Sequence, residues 1–527
     1  MEGRRPKRRF EVYPFEKTTT FFLAMSRLLW ISGLLAGTAA CGAPPCPEGS
    51  DGRDGTLDGG PLAMVRLPPD LGAACAARCN GPDDCPPGTI CTRARYRDEE
   101  GHTSRFELVC VPPGARGRAA AGACTVAGEL EECASRSCHE GQCVVACTRD
   151  ADCLVGQRCV EVSEDGFTTR LCWYADDALE RPIELGTHEL RGGEATAPLV
   201  FAVPPETEGL GLVAEDLAGH RFPLTFVELR DAEDVLLFDL ETILAWQDTP
   251  IRWLPLQTHG AAAMLAPGST EDRVRFRHGR WTLRAGVLPG STADSVRVRL
   301  RALPTAAGPG SLHLNVHLAP GLGVNAASAS TDTRLQGVLG TVEAIFQAIG
   351  LRVVARRYLD DVEPHLSVVD SVQGPESEAA ALLRGAVGEG LDVFLVRSID
   401  AATPTLGLAG GVPGPFGEPG TSHSGVIVSY DRAVVGDGTL LAAQVLAHEI
   451  GHYLGLFHNQ EGSPACAAGE RPPGCAPFGG QDPIADTSTS DRNLMFWALR
   501  TFEDGSVNDE LTEGQGFVLL RNPLVSR

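Results

Sequence analysis

The sequence predicts a multidomain chain with three architectures in series: small disulfide-rich modules, a β-sandwich and an α/β domain. Three observations carry that reading. Fifteen of the 17 cysteines precede residue 173, apolar residues alternate with arginine between 181 and 304, and helical periods interleave with short apolar strands from 311 onward. At 527 residues the chain exceeds what a single hydrophobic core serves.

Residues 1–41 read as a signal region. Met25-Ser26-Arg27 opens an apolar run, Leu28 to Ala36, which ends in the small residues Gly37-Thr38-Ala39-Ala40 before Cys41. A short basic segment, an apolar segment and small residues at the cut make up a secretory leader, and the clean onset places the expected natural start at Met25. The apolar run is too short to span a bilayer. Cys41 after small residues resembles a bacterial lipoprotein cleavage site, with Thr38 where that pattern prefers leucine. The expected product is exported, either as a cell-envelope lipoprotein attached to the membrane through lipidated Cys41 or as an extracellular protein.

Charge narrows the partners. Lys+Arg 45 against Asp+Glu 68 gives a net charge of −23, which repels nucleic acid and anionic lipid. No nucleic-acid partner is expected.

Residues 42–70, rich in Gly, Pro and Asp with no apolar period, read as a flexible tether. Residues 71–175 hold an internal repeat. Cys75, Cys79, Cys85 and Cys91, then Cys110, share the spacing C-x3-C-x5-C-x5-C with Cys143, Cys147, Cys153 and Cys159, then Cys172. Aspartate precedes the third cysteine of each copy, as Asp84 and Asp152. Such modules have too few apolar residues for a core and rely on disulfides, which form in an oxidising compartment. Setting Cys41 aside as an anchor leaves an even number of cysteines, fit for full pairing. Their expected role is that of a spacer.

Residues 181–304 read as the β-sandwich. Val296, Val298 and Leu300 alternate with Arg297, Arg299 and Arg301, and Val274 and Phe276 alternate with Arg275 and Arg277. That is the period of a sheet with one wet face, so the arginine rows are expected in solvent. A second role, as a propeptide-like or docking domain, stays open.

Residues 311–527 carry the α/β pattern. Leu312, Leu314, Val316 and Leu318 alternate as a strand, with His313 and His317 on the opposite side, expected at the surface. Leu335, Leu339, Val342, Phe346 and Ile349 follow at helical spacing with Gly350 as the stop. Strands are expected at 351–355 and 391–396, with a helix between them at about 376–387. Gly425-Val426-Ile427-Val428-Ser429 reads as another strand and the Gly- and Pro-rich 403–420 as a loop. Leu511 to Leu520 reads as a closing helix.

The chemistry concentrates at 448–458, His-Glu-Ile-Gly-His-Tyr-Leu-Gly-Leu-Phe-His, at the end of the apolar run Leu440 to Ala447. On a helix, His448 and His452 share a face one turn apart and can clamp one zinc ion. A catalytic zinc takes three protein ligands and leaves a position open, so His458 is the expected third. Its imidazole reaches back only if the helix stops first, and Gly455 is the residue suited to the left-handed turn that stops it. Glu449 leans over the same site. Cys466 and Cys475 are close enough to pin a loop. Asp482, Asp486 and Asp491 offer clustered carboxylates that would suit Ca2+, the alternative being a plain acidic loop.

The extended motif His448, Glu449, His452, Gly455, His458 with Met495 downstream, one of five methionines, resembles the metzincin zinc metallopeptidases. Within that family, His448 to His458, Asp482-Pro483-Ile484-Ala485-Asp486-Thr487 and Asn493-Leu494-Met495 look most like the pappalysin group. Trp497 stands where astacin-like and serralysin-like enzymes carry a tyrosine, and Ser488 stands where the pappalysin pattern has proline.

The resemblance implies a metzincin-like α/β fold over 311–527, a methionine turn at Met495 packed beneath the zinc, and a substrate-receiving edge strand at Gly425, Val426, Ile427 and Val428. It also implies hydrolysis of protein or peptide substrates by metal-activated water, with Glu449 as general base. The rival reading is a surface-anchored protein-binding or adhesion protein with a non-catalytic zinc site. A third is latency, in which the region before Ser311 covers the cleft.

Overall fold

The computed structural model describes residues 142–527 apart from 165–166, 218–222, 241–250, 253–258, 271, 273–275, 289–294, 307, 401–404, 434–438 and 461–481. It also describes 64–66, 75–77, 79, 85, 87, 89–97, 103–111, 133 and 138–140. The signal region, Met25, Cys41, Cys466 and Cys475 lie outside the described residues. The chain is multidomain and sheet-rich with few helices. Among the described residues no helix is long and apolar enough to cross a membrane.

The cysteine repeat becomes a structural repeat. The hairpin of Ile90–Arg97 and Thr103–Val111 is matched by that of Arg158–Glu164 and Phe167–Trp173. In each copy the second cysteine bonds the fourth, Cys79 to Cys91 and Cys147 to Cys159, and the third bonds the fifth, Cys85 to Cys110 and Cys153 to Cys172. Cys143, the first of its copy, bonds Cys133. Small cysteine-lined clusters, joined by an apolar group of Val144, Val162 and Leu171, stand in for one larger core among the described residues of these modules. The expected tether ends early, because Met64–Arg66 pairs antiparallel with Cys75–Ala77.

Eight strands follow: β1 (Ile183–Leu190), β2 (Leu199–Val203), β3 (Gly209–Asp216), β4 (Leu224–Arg230), β5 (Leu236–Asp239), β6 (Ala261–Ala266), β7 (Gly279–Val287) and β8 (Val296–Thr305). They form two antiparallel sheets of order β2-β7-β4-β5 and β6-β3-β8-β1 around a shared core that includes Phe201, Phe226, Trp281 and Met264.

Strands β3 and β6 are buried at every position. Their inner residues, Leu210, Leu212, Ala262 and Met264, fill the core between the sheets. Their outer residues, Val213, Ala263 and Leu265, belong to the core of the α/β region instead. A strand covered on both faces reads as a continuous apolar run, as Ala261-Ala262-Ala263-Met264-Leu265-Ala266 does. Gly211 allows the closest approach, since a Cβ there would lie 2.5 Å from Pro523 and 2.8 Å from Phe416.

The arginine row is therefore not a solvated face along its length. Arg299 reaches Glu215 at 2.5 Å and, across to the α/β region, Glu418 at 3.0 Å; Arg301 also pairs with Glu418, whose side chain is buried. Of the other row, Val274 and Arg275 lie outside the described residues and Phe276 precedes strand β7.

The α/β region is built on β9 (Gly310–Leu318), α1 (Thr333–Gln347), β10 (Leu351–Leu359), α2 (Glu378–Leu383), β11 (Leu391–Val396), β12 (Gly407–Ala409), β13 (Val426–Ser429), α3 (Thr439–Tyr453), α4 (Glu513–Leu519) and β14 (Val525–Ser526). The sheet order is β10-β9-β11-β13-β12, with β14 pairing β9. The first four strands are parallel and β12 runs antiparallel at the edge. Helix α1 starts at an Asp332 cap and ends before Gly350, whose φ is 81°. Leu312, Leu314, Val316 and Leu318 pack under α1 and α3.

The opposite face of β9 is not surface. His317 is fully buried between Asp361 and Asp392, at 2.7 and 2.9 Å, and stacks on Phe394. The alternation places it correctly on the face opposite Leu314 and Val316, but a second layer around α2 and Leu366 covers that face.

Candidate metal centre

Helix α3 carries the motif into the core. From Ala442 to Gly451 every residue is buried, and the small side chains Ala442, Ala443 and Ala447 belong to the core shared with α1. The helix ends after Tyr453. Gly455 then takes φ 115°, a left-handed conformation that suits glycine, and the chain turns back towards His458.

The three imidazoles converge. One ring nitrogen from each of His448, His452 and His458 lies within 4.8 Å of the others, and the ring centroids are 4.6, 5.3 and 4.7 Å apart. His448 Nδ1 lies 2.7 Å from the Leu494 carbonyl and His452 Nδ1 lies 2.8 Å from the Leu456 carbonyl. A carbonyl oxygen can only accept, so Nδ1 donates in both and the Nε2 lone pair is left for a ligand. Burial and the neighbouring rings push His448 down to about 3 and His452 well below its ordinary range, which keeps both neutral. Neutral, converging imidazoles oriented by carbonyls suit a divalent ion such as zinc.

Two cysteine groups, Cys79, Cys85 and Cys91 and Cys147, Cys153 and Cys172, are also close together. Their sulfurs are taken up in disulfides and offer no thiolate.

Glu449 packs directly on the sheet edge. A Cβ on Gly407 would lie 2.4 Å from Glu449 Oε1, so any side chain there would have to displace the carboxyl from its present position. Burial pushes this carboxyl up to about 8, opposed by a hydrogen bond from the Ala409 N–H.

The edge strand is β12, not the segment Gly425, Val426, Ile427 and Val428. Strand β13 is enclosed between β11 and β12 and is buried throughout. Three residues, Gly-Leu-Ala, are too few to show a strand period, and they lie in a stretch whose glycines and prolines read as loop. Ser429 N–H bonds the Leu406 carbonyl and Gly410 N–H bonds the Gly425 carbonyl. Antiparallel pairs alternate, so the backbone groups of Gly407 and Ala409 point outward from the sheet. Among the described residues no strand pairs with that outer side.

Met495 lies beneath the site. It is fully buried, and a Cβ on Gly451 would lie 2.6 Å from its sulfur. A polar frame holds its turn, and sequence reasoning missed it. Asn493 Oδ1 accepts from Met495 N–H at 3.0 Å, Asn493 Nδ2 donates to Gln515 at 2.9 Å, and Gln444 on α3 donates to Asn508. Asn459, beside His458, donates its side-chain amide to the Ser488 and Ser490 carbonyls, while its backbone N–H bonds the Met495 carbonyl. Buried amides of this kind leave no periodic signal.

The three aspartates do not form a calcium site. Asp482 is fully buried against Arg252 of the sandwich at 2.6 Å, and Asp486 accepts from Thr512 and the Gly514 N–H at the start of α4. Asp491 is exposed. Arg252 also lies 5.2 Å from the Phe457 ring, next to His458.

No model of a known protein family matches this chain, and no curated protein matches it. Among solved structures it is similar to metalloproteinase-II from Bacteroides fragilis, at 14% identity over 36% of this chain and 46% of that one, with a TM-score of 0.19. It is also similar to a family two carbohydrate esterase from Cellvibrio japonicus, at 10% identity over 32% of this chain and 52% of that one, with a TM-score of 0.10. The chain thus spans about half the length of the structures it matches. One of these neighbours is a bacterial metalloproteinase.

Proposed function

We propose that this chain is an exported zinc-dependent endopeptidase of the metzincin type, most like the pappalysin group, with its active site in 311–527. The carrying observation is one arrangement: three convergent imidazoles, with the carboxyl of Glu449, the residue after His448, resting against Gly407 and Ala409 of the edge strand. His448, His452 and His458 would hold zinc. When bound, the ion supplies polarisation of a scissile carbonyl and an activated water.

The protein's own groups do the rest. Gly407 presents its outward N–H and C=O groups and Ala409 its C=O to an extended peptide, while the Ala409 N–H holds Glu449; the peptide binds through its main chain and so with broad tolerance of sequence. Glu449 takes the proton from the attacking water and passes it to the leaving amine. Met495 packs under α3 and keeps His448 and His452 in register; it is not a ligand.

A binding protein with an inert zinc site needs no carboxyl at Glu449 and no open sheet edge beside it. Disulfides throughout the modules support an oxidising compartment, in keeping with a leader opening at Met25 and a lipid anchor at Cys41. Glu449→Gln is the test: zinc content should stay at one per chain while hydrolysis of casein falls by roughly a hundredfold or more. Unchanged turnover would falsify the assignment.

A further inference from the structure

A pocket of about 280 Å³ opens on the other face of the same sheet edge. Its walls include Val372, Pro375, Ala380, Leu383 and Leu408, and the sandwich closes one side with His259. Ser422, also in the lining, donates to the His259 carbonyl at 2.7 Å, which fastens the sandwich to this rim. Among the described residues no carboxylate and no lysine or arginine lines it; its polar lining is Gln373, Ser377, Ser422 and the imidazoles of His259 and His423. Ala409 and Gly410, at the end of β12, form part of the wall, so the pocket meets the edge strand itself.

Sheet geometry says what would enter. Successive side chains of a strand alternate faces, and residues directly opposite on paired strands share a face. Gly407 and Ala409 turn towards Glu449 and the core under α3, whereas Leu408 packs with Ile427 on the α2 side. A peptide added to the outer side of β12 therefore directs the residue opposite Leu408 away from the histidines and towards the pocket.

We infer that this pocket is a specificity subsite that takes one large uncharged apolar side chain, such as leucine or phenylalanine, from an extended substrate. The inference rests on the peptidase reading and deepens it. Main-chain pairing at the edge is tolerant of sequence, and the pocket adds selection at one position. It also gives the sandwich a share in substrate choice through His259.

The test uses labelled alanine-based peptides in which single positions are changed to Leu, Phe, Asp or Lys. Binding is measured to the full chain carrying Glu449→Gln, and cleavage by the parent chain. The parent should favour Leu or Phe over Asp at one position by about tenfold or more. Ala380→Leu, which narrows the pocket, should reduce the preference for Phe at that position about tenfold, and Leu383→Ala, which widens it, should shift the preference from Leu towards Phe. Opposite shifts at one substrate position are not a result of general destabilisation. Identical selectivity in the parent and both variants overturns the subsite, and so does a stronger preference for Asp or Lys there. If the selective binding is seen and the parent cleaves none of the peptides, the subsite stands and the peptidase reading falls. Failure of every peptide to bind overturns both.

Discussion

Arg252 Nη1 of the sandwich lies 2.6 Å from Asp482 Oδ1 of the α/β region, and both side chains are completely buried. The residues are 230 positions apart. Arg252 Nε also donates to the Gly268 carbonyl at 2.7 Å, and Asp482 Oδ1 accepts from Ile484 N–H at 3.2 Å. The pair sits next to Phe457, so it ties the sandwich to the turn that carries His458. Together with Val213, Ala263 and Leu265 in the shared core, it makes the sandwich a structural part of the unit. A cover that is shed on activation would expose those residues.

Removing one partner should be costly. Arg252→Met leaves the Asp482 carboxylate buried without its cation, which should destabilise the protein by about 3–5 kcal/mol in urea unfolding. Zinc affinity, measured by competition with a chromophoric chelator, should fall as well, because Phe457 loses its neighbour. The double variant Arg252→Met with Asp482→Leu should recover much of the stability. If the single variant unfolds at the parent's urea concentration, the pair has no such role.

Gly407 makes room for Glu449, the proposed general base. In Gly407→Ala the new methyl must displace the Glu449 carboxyl, since 2.4 Å is well inside van der Waals contact. The prediction is a fall in kcat of about a hundredfold with zinc content unchanged. A variant with parental kcat would show that Glu449 works from elsewhere.

His317 is assigned to structure. In His317→Leu, Asp392 retains Asn315 Nδ2 and the Val387 N–H as donors but loses its imidazole partner. Stability should drop by about 3 kcal/mol. Bound zinc, counted per folded chain, should not change. Loss of zinc without loss of stability would place His317 in the metal site instead.

The disulfides predict local effects. Cys153 and Cys172 are separated by 19 positions, and opening such a loop costs about 3 kcal/mol in the chain-entropy picture. Cys153→Ser with Cys172→Ser should make the 147–173 module sensitive to proteolysis while casein hydrolysis is kept. Parallel loss of hydrolysis would mean that the module contributes to the active site.

The converging histidines are legible because chemistry and spacing coincide in eleven consecutive positions, His448 to His458. Helices α1 and α3 were legible from apolar period, and the cysteine repeat from its spacing, though spacing alone does not fix the pairing found here. What escaped the sequence depends on contacts between distant segments. Three residues of β12 carry no period. Asp482 reads in the sequence as one of three clustered carboxylates, and only the fold sets Arg252 against it. The alternation in β9 and β8 was correct, yet a period of two says only that residues share a face. It does not say whether that face meets water, as expected for His317 and Arg301, or a second layer, as found.

Zinc K-edge X-ray absorption on the zinc-loaded full chain tests the central claim most directly. Three imidazole nitrogens and one further light atom at about 2.0–2.1 Å are predicted, with one zinc per chain. A sulfur shell near about 2.3 Å, or a chain that retains no zinc after desalting, would contradict it.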